Sequence, residues 1–250
     1  MGVSHTEFPH QWPISFEAYS EVWLVGGDGT LNYFINHYPQ ETKALTIFKG
    51  GTGNDFHWML YGGMQMEQQV DQVLSGTITK VDAGKCNDKL FINILGIGFD
   101  AKVSKDLTGK QKRPGKTSYM MAVLRNIFFF DSFQCHITCS EFLGNYNCLM
   151  VSVSNGKRTG GGFYVTPKAL VNDGFLDVSI VRNVHSIQRM KYLPLIEKGK
   201  HLDLPFVKYQ QTDSVVIEAA KEIHAHVDGE YFAAREFNVT CLPARFSFLV

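Results

Sequence analysis

Two short stretches concentrate the residue types that handle a phosphate group. GGDGT (Gly26 to Thr30) and GGTGND (Gly50 to Asp55) mix glycines with hydroxyl and carboxylate side chains, and each follows an apolar run. Glycines let backbone N–H groups approach phosphate oxygens, a helix N-terminus favours negative charge, and Thr30 and Thr52 add hydroxyl donors. A nucleotide is the natural occupant of such a pair. Asp28 and Asp55 would repel an anion placed directly against them. They suit a Mg²⁺ between acid and phosphate, a ribose or an incoming hydroxyl, or else they cap their own turns. Asp28, with a glycine on each side, is the stronger functional candidate.

Further carboxylates sit at turns. HAHVDGEYF (His224 to Phe232) places Glu230 after an Asp-Gly pair, where it is either a general base or solvated. His224 and His226 share one strand face, a pattern compatible with a metal, but no third ligand stands nearby. NDGFLD puts Asp173 in a tight turn that ordinarily joins two strands. GKQKRPGKT (Gly109 to Thr117) approaches the phosphate-loop pattern, yet five residues separate its glycines and no buried strand runs into it. It reads as a solvated basic loop, and Lys105, Lys110, Lys112, Arg113 and Lys116 favour anionic lipid headgroups. Phe128 to Phe130 suit an acyl-chain groove or a core.

The elements that must hold these residues follow from periodicity. Glu21 to Val25 reads as a buried strand and Leu31 onward as a helix; ALTIF, then FHWMLYG, repeat the order, and MEQQVDQVL adds a short helix. That alternation predicts an α/β nucleotide-binding domain over residues 1–76, a parallel sheet layered between helices, with both glycine turns at its carboxyl edge, where ligands bind. From Ile78 the chain turns to β-branched runs: ITKVDAGKC, KLFINILGIG, SFQCHITC, CLMVSVSN, FLDVSIV, SVVIEA, IHAHVDG and FNVTCL. Two helices, near Thr117 to Phe129 and Ser186 to Ile196, interrupt them. An antiparallel β-sandwich over residues 77–250 is expected.

Composition narrows the function. Lys plus Arg equals Asp plus Glu at 24 each, so no global field draws the chain to nucleic acid. Five cysteines without a CxxC pair fit a reducing cytosol. The N-terminus lacks a signal peptide's basic and apolar regions, and the most apolar stretch, Tyr119 to Phe130, is broken by Arg125 and Asn126 and is too short to span a bilayer. A cytoplasmic location is expected.

Taken together, GGDGT-LN at 26–32, GTGNDF at 51–56, N-x-x-G-x-G-x-D-A at 93–101, GGG-x4-P-x-A at 160–169, DG-x-LDV at 173–178 and DGE at 228–230 resemble the diacylglycerol kinase catalytic domain family. That lipid-kinase family includes bacterial lipid kinases and the sphingosine and ceramide kinases. The resemblance implies an α/β domain followed by a β-rich one, an active site in the cleft between them, and ATP-dependent phosphorylation of a lipid hydroxyl with Mg²⁺. It assigns the nucleotide to Gly26, Gly27, Asp28, Gly29, Thr30 and Leu31 with Gly51, Thr52, Asn54 and Asp55, with Asp28 essential at the phosphates. Glu230 matches the general base. Asp173, with backbone oxygens near Leu170 and Phe175, matches a structural Mg²⁺ site. The partner implied is a lipid presented at the inner face of a membrane, reached by peripheral contact.

The chain departs from the family pattern at its start. Members usually begin with a further strand, an NPxxG-like turn and a helix, and nothing in residues 1–20 matches that turn, so a sheet with fewer strands and an ATP site lacking one wall are expected. Lys49 replaces a usual proline and Tyr33 a usual polar residue. Two other readings stand beside the lipid kinase. NAD kinases share GGDGT, although GTGND, GGG and DGE match the lipid kinases better, and a chain that binds lipid or a partner without catalysis is the second. Diacylglycerol, a glycerophospholipid headgroup, a sphingoid base and a prenol all remain open as acceptors.

Overall fold

The computed structural model describes residues 4–107 and 116–250. Strand β1 (Glu21–Gly26) buries Val22 and Leu24 and pairs in parallel with β2 (Ala44–Lys49), from Glu21 opposite Ala44 to Gly26 opposite Lys49. Between them runs α1 (Asp28–His37), three residues longer at its start than the apolar pattern from Leu31 suggests. Gly27 is the N-cap, and its carbonyl already accepts the N–H groups of Thr30 and Leu31. Only Gly26 and Gly27 of the first motif therefore lie before the helix. After β2 come α2 (Asp55–Tyr61) and α3 (Met66–Ser75).

The remaining strands are antiparallel to one another: β3 (Ile78–Cys86), β4 (Lys89–Phe91), β5 (Ile94–Gly98), β6 (Phe133–Thr138), β7 (Leu143–Ser154), β8 (Leu176–Arg182), β9 (Val207–Thr212), β10 (Ser214–Val227) and β11 (Glu230–Leu249). SVVIEA and IHAHVDG belong to the single strand β10, with an irregularity between Glu218 and Ile223. Both β5 and β6 pair with β7 and with β10, closing a ring around Leu95, Ile97, Ile137, Val151, Ile217 and Ala225. The two layers expected of a sandwich are thus joined by hydrogen bonds, because β10 and β11, at 14 and 20 residues, are long enough to bend from one layer into the other.

Helix α4 (Phe99–Leu107) follows β5 directly and was not evident from the sequence; α5 (Lys116–Phe129) and α6 (Ser186–Glu197) lie where the periodicity places them. The end of β11 returns to the first unit, where Ser247 and Phe248 pair in parallel with Ala44 and Leu45. Packing therefore continues across residue 76: Leu31, Phe34, Ile47 and Phe56 share one core with Val81, Ala83, Phe246 and Phe248. Residues 4–20 carry no strand or helix, and they lay Trp12 and Phe16 against Phe34 and Tyr38 while the Tyr38 hydroxyl donates to the Pro13 carbonyl at 2.5 Å. Among the described residues no helix is long and apolar enough to cross a membrane.

Candidate active site

The parallel pairing of β1 and β2 sets the two glycine turns back to back. The Gly50 N–H donates to the Gly26 carbonyl at 2.8 Å, and a Cβ on Gly51 would stand 2.6 Å from the Cα of Gly27. Contact between the loops is reason enough for glycine at both positions. Asn54, at φ 50°, is tied into its own loop, accepting the Gly51 N–H at 2.9 Å and donating to the Gly51 carbonyl at 2.7 Å. It cannot cap α2 as well.

Asp28 does so from the other loop. Its carboxylate accepts the N–H of Asp55 at 3.1 Å and of Phe56 at 2.9 Å, so one acid from the first turn of α1 satisfies the start of α2. The N-termini of both helices converge there, a setting that favours negative charge. Replacing Asp28 by alanine is expected to cost about 1–2 kcal/mol of stability. Urea unfolding checks this, and an unchanged midpoint would show that the cap is not used. The hydroxyls of Thr30 and Thr52 meet no partner among the described residues.

Asp55 joins this turn to the third glycine cluster. Its Oδ2 accepts the Gly161 N–H at 2.8 Å, and Oδ1 lies 2.9 Å from Nε of Arg158, close in charge but without an aligned hydrogen bond. Burial, then the neighbouring Asp28, push the Asp55 carboxyl up to about 6, against the opposing pull of Gly161 and Arg158. Between the ordinary carboxyl value and about 6, the folded protein holds a proton that the unfolded chain has released. This group therefore stabilises the fold at pH 4 and the contribution is lost as pH rises through 6. From pH 4 to 7 the stability of Asp55→Asn relative to wild type should rise by on the order of 2–3 kcal/mol. Parallel unfolding curves at the two pH values measure it, and a pH-independent difference would contradict it.

The DGE turn reaches the same place from the other end of the chain. Val227 and Glu230 close the β10–β11 ladder around Asp228 at φ 49° and Gly229 at φ 95°, the tight hairpin that Asp-Gly predicts. Asp228 is not solvated, as such turns usually are. It is 7% exposed and accepts four donors: the N–H groups of Ile92 (2.9 Å), Asn93 (3.0 Å) and Ile94 (2.8 Å), and Nδ2 of Asn32 (3.0 Å). This is why KLFINILGIG splits into β4 and β5, since the amides between them point at a carboxylate instead of a strand. Asn32 also donates to the Leu90 carbonyl, fastening α1 to β4 as well as to the hairpin.

Glu230 is exposed and has no partner among the described residues. Its Oε1 lies 3.5 Å from where a Cβ on Gly29 would stand, over the first turn of α1. The histidines behind it have separate duties. His226 Nδ1 accepts the Gly229 N–H at 3.1 Å while Nε2 faces Asp100 at 3.3 Å, and His224 Nδ1 pairs with the Tyr231 hydroxyl at 2.8 Å. Among the described residues no group of three His, Cys, Asp or Glu could hold a metal ion. Each histidine thus has its own protein partners, as a pair without a third ligand would.

Asp173 lies in the turn entering β8, not between two strands. It accepts the Phe175 N–H at 3.1 Å and Nε2 of Gln211 at 2.8 Å. Leu170 and Phe175 are half exposed and offer only backbone oxygens, so this turn supplies a cation with a single carboxylate. That is a poor fit for a metal held by protein alone. A Mg²⁺ that arrives on nucleotide phosphates needs only one or two carboxylates, which the glycine turns contain.

An apolar cavity opens between α4, α5, α6 and the sheet, lined by Phe99, Val123, Ile127, Phe163 and Leu193 together with Asp100. Phe128 and Phe129 are 49% and 79% exposed and lie outside it; the opposite face of α5 does the lining. Phe130 packs edge-on against Phe99. The basic run from Gly109 to Gly115 lies outside the described residues.

Two family sequence models match the chain: the diacylglycerol kinase catalytic domain over residues 12–86 and the YegS C-terminal NAD kinase beta sandwich-like domain over residues 93–250. The "probable lipid kinase YegS-like" protein of Pectobacterium atrosepticum is 28% identical over 233 residues, covering 89% of this chain and 75% of the relative. The diacylglycerol kinase of Staphylococcus carnosus is 28% identical over 220 residues, 86% of this chain and 71% of its own length. Two crystal structures from Bacillus anthracis str. Sterne align with 92% of this chain and 76% of theirs, with TM-scores of 0.76 and 0.67 at 25% and 21% identity. The second of these is named a diacylglycerol kinase.

Proposed function

As the chain belongs to the family of lipid kinases that joins a diacylglycerol kinase catalytic domain to a YegS-type β-sandwich domain, we propose that it transfers the γ-phosphate of ATP to a lipid hydroxyl, diacylglycerol or a related lipid. The observation that carries this reading is the approach of Glu230 to Gly29. It sets an exposed carboxylate, without a partner among the described residues, against the turn where two helix N-termini meet.

In that arrangement the amides of the glycine turns, with the free hydroxyls of Thr30 and Thr52, bind the phosphates. Glu230 takes the proton from the acceptor hydroxyl as its oxygen attacks the γ-phosphorus; the bond to the bridging oxygen breaks and ADP leaves. Asp28 would stand beside a Mg²⁺ carried on the phosphates, which would supply charge neutralisation there. Asn32 and Asp228 hold the base to α1, so the turn does not drift from the loop it serves. The apolar lining of the cavity suits hydrocarbon more than a dinucleotide, and the lipid acceptor would be drawn from the inner face of a membrane. The protein would work in the cytoplasm, in peripheral contact with that surface.

Nucleotide binding tests the reading. At one hundred times its dissociation constant, a ligand specific for the folded state adds about 2.7 kcal/mol of stability, so saturating Mg-ATP should raise the melting temperature by several degrees. A chain indifferent to Mg-ATP would be a lipid or partner binder without catalysis.

A further inference from the structure

We infer that Arg158 binds the β- or γ-phosphate of the nucleotide, an inference that rests on the kinase reading above. Around the turns that would hold an anion, the structure gathers three carboxylates: Asp28, Asp55 and Glu230. Among the described residues Arg158 brings a positive charge to one of them, with Nε 2.9 Å from Asp55. The guanidinium is held from behind, 4.2 Å over the ring of Trp58, with the side chain only 15% exposed.

Its hydrogen bonding is incomplete. Nε is buried without an aligned acceptor, and the two terminal nitrogens meet none among the described residues. The terminal nitrogens are the part of the side chain that reaches solvent, so the fork is open to a ligand's oxygens. The planar fork matches a phosphate in geometry as well as charge. The neighbouring backbone leaves room: Gly161 turns at φ 77° toward Gly53, where an added Cβ would crowd Asp28 Oδ2 at 3.1 Å.

The competing role is neutralisation of Asp55 alone, and a pair of backgrounds separates the two. In the full chain carrying Asp55→Asn, Arg158 has lost its carboxylate partner and the buried pair is already dissolved. Adding Arg158→Gln to that background should still weaken Mg-ATP binding about 10- to 100-fold, measured by calorimetric titration. Arg158→Lys should recover part of the loss, since it restores charge without the fork. ATP affinity within twofold between Asp55→Asn and Asp55→Asn/Arg158→Gln would overturn the inference and leave the kinase reading standing. Absence of ATP binding in the wild-type chain would overturn both.

Discussion

Replacing Asp228 by alanine is expected to destabilise the protein by about 3–6 kcal/mol, enough to unfold much of the population of a domain of ordinary stability. The carboxylate is buried and serves three consecutive backbone amides, from Ile92, Asn93 and Ile94, together with Asn32. Removing it strands the three amides where water has little access, at about 1–3 kcal/mol each before relaxation, while Asn32 keeps its bond to the Leu90 carbonyl. The loss also releases the junction between β4 and β5, whose path depends on that acceptor. Burial raises the Asp228 carboxyl above its ordinary value even though four hydrogen bonds oppose the shift. The carboxylate therefore bears a desolvation cost that only its donors offset, and Asp228→Asn, with one acceptor oxygen, should retain part of the stability. Guanidinium unfolding decides the matter; a loss of under about 1 kcal/mol for alanine would mean the turn is not held this way.

Glu230→Gln is the complementary case, with a large effect on rate and a small one on folding. A positioned general base contributes about 10²- to 10⁴-fold, and kcat should fall by that amount. The side chain is exposed and unpartnered among the described residues, so stability should change by no more than about 0.5 kcal/mol. Glutamine keeps the shape and removes the proton acceptor, so affinity for Mg-ATP should be preserved. Transfer within threefold of wild type would take the base role away from Glu230. The contrast between Asp228 and Glu230, two residues apart, is that one acid holds the hairpin and the other is left free at its tip.

The glycine turns were legible because their signal is local: an apolar run, glycines with small polar residues, then helical spacing. The DGE hairpin was legible for the same reason, since Asp-Gly at two positive φ values is a property of the turn itself. The targets of the acids were not. Asp28 reaches Asp55 and Phe56, and Asp228 reaches a segment more than 130 residues earlier, pairings that only the assembled sheet creates. Arg158 carried no pattern at all, being the second of two basic residues in NGKRT until Trp58 and Asp55 pack against it.

Element errors have similar causes. Helix α4 begins on Phe99 directly after the buried strand β5, and the break between them is the left-handed turn of Gly98 at φ 95°, which composition does not announce. The middle of β10, Ala219 to Glu222, consists of good helix formers and reads as an interruption. Hydrogen bonding to β11 on either side keeps it in a single strand, and tertiary pairing overrides local preference. The return of β11 to β2 lies beyond any periodicity argument, because it joins residues 44 and 247.

The most direct test of the central claim is transfer of labelled γ-phosphate from ATP to diacylglycerol, a glycerophospholipid, a sphingoid base and a prenol in mixed micelles, with Glu230→Gln run in parallel. The account predicts label in one lipid class with the wild-type chain and its loss by at least about 10²-fold in the variant. A wild-type chain that binds Mg-ATP yet labels none of these lipids, or a variant that labels them equally well, would contradict it.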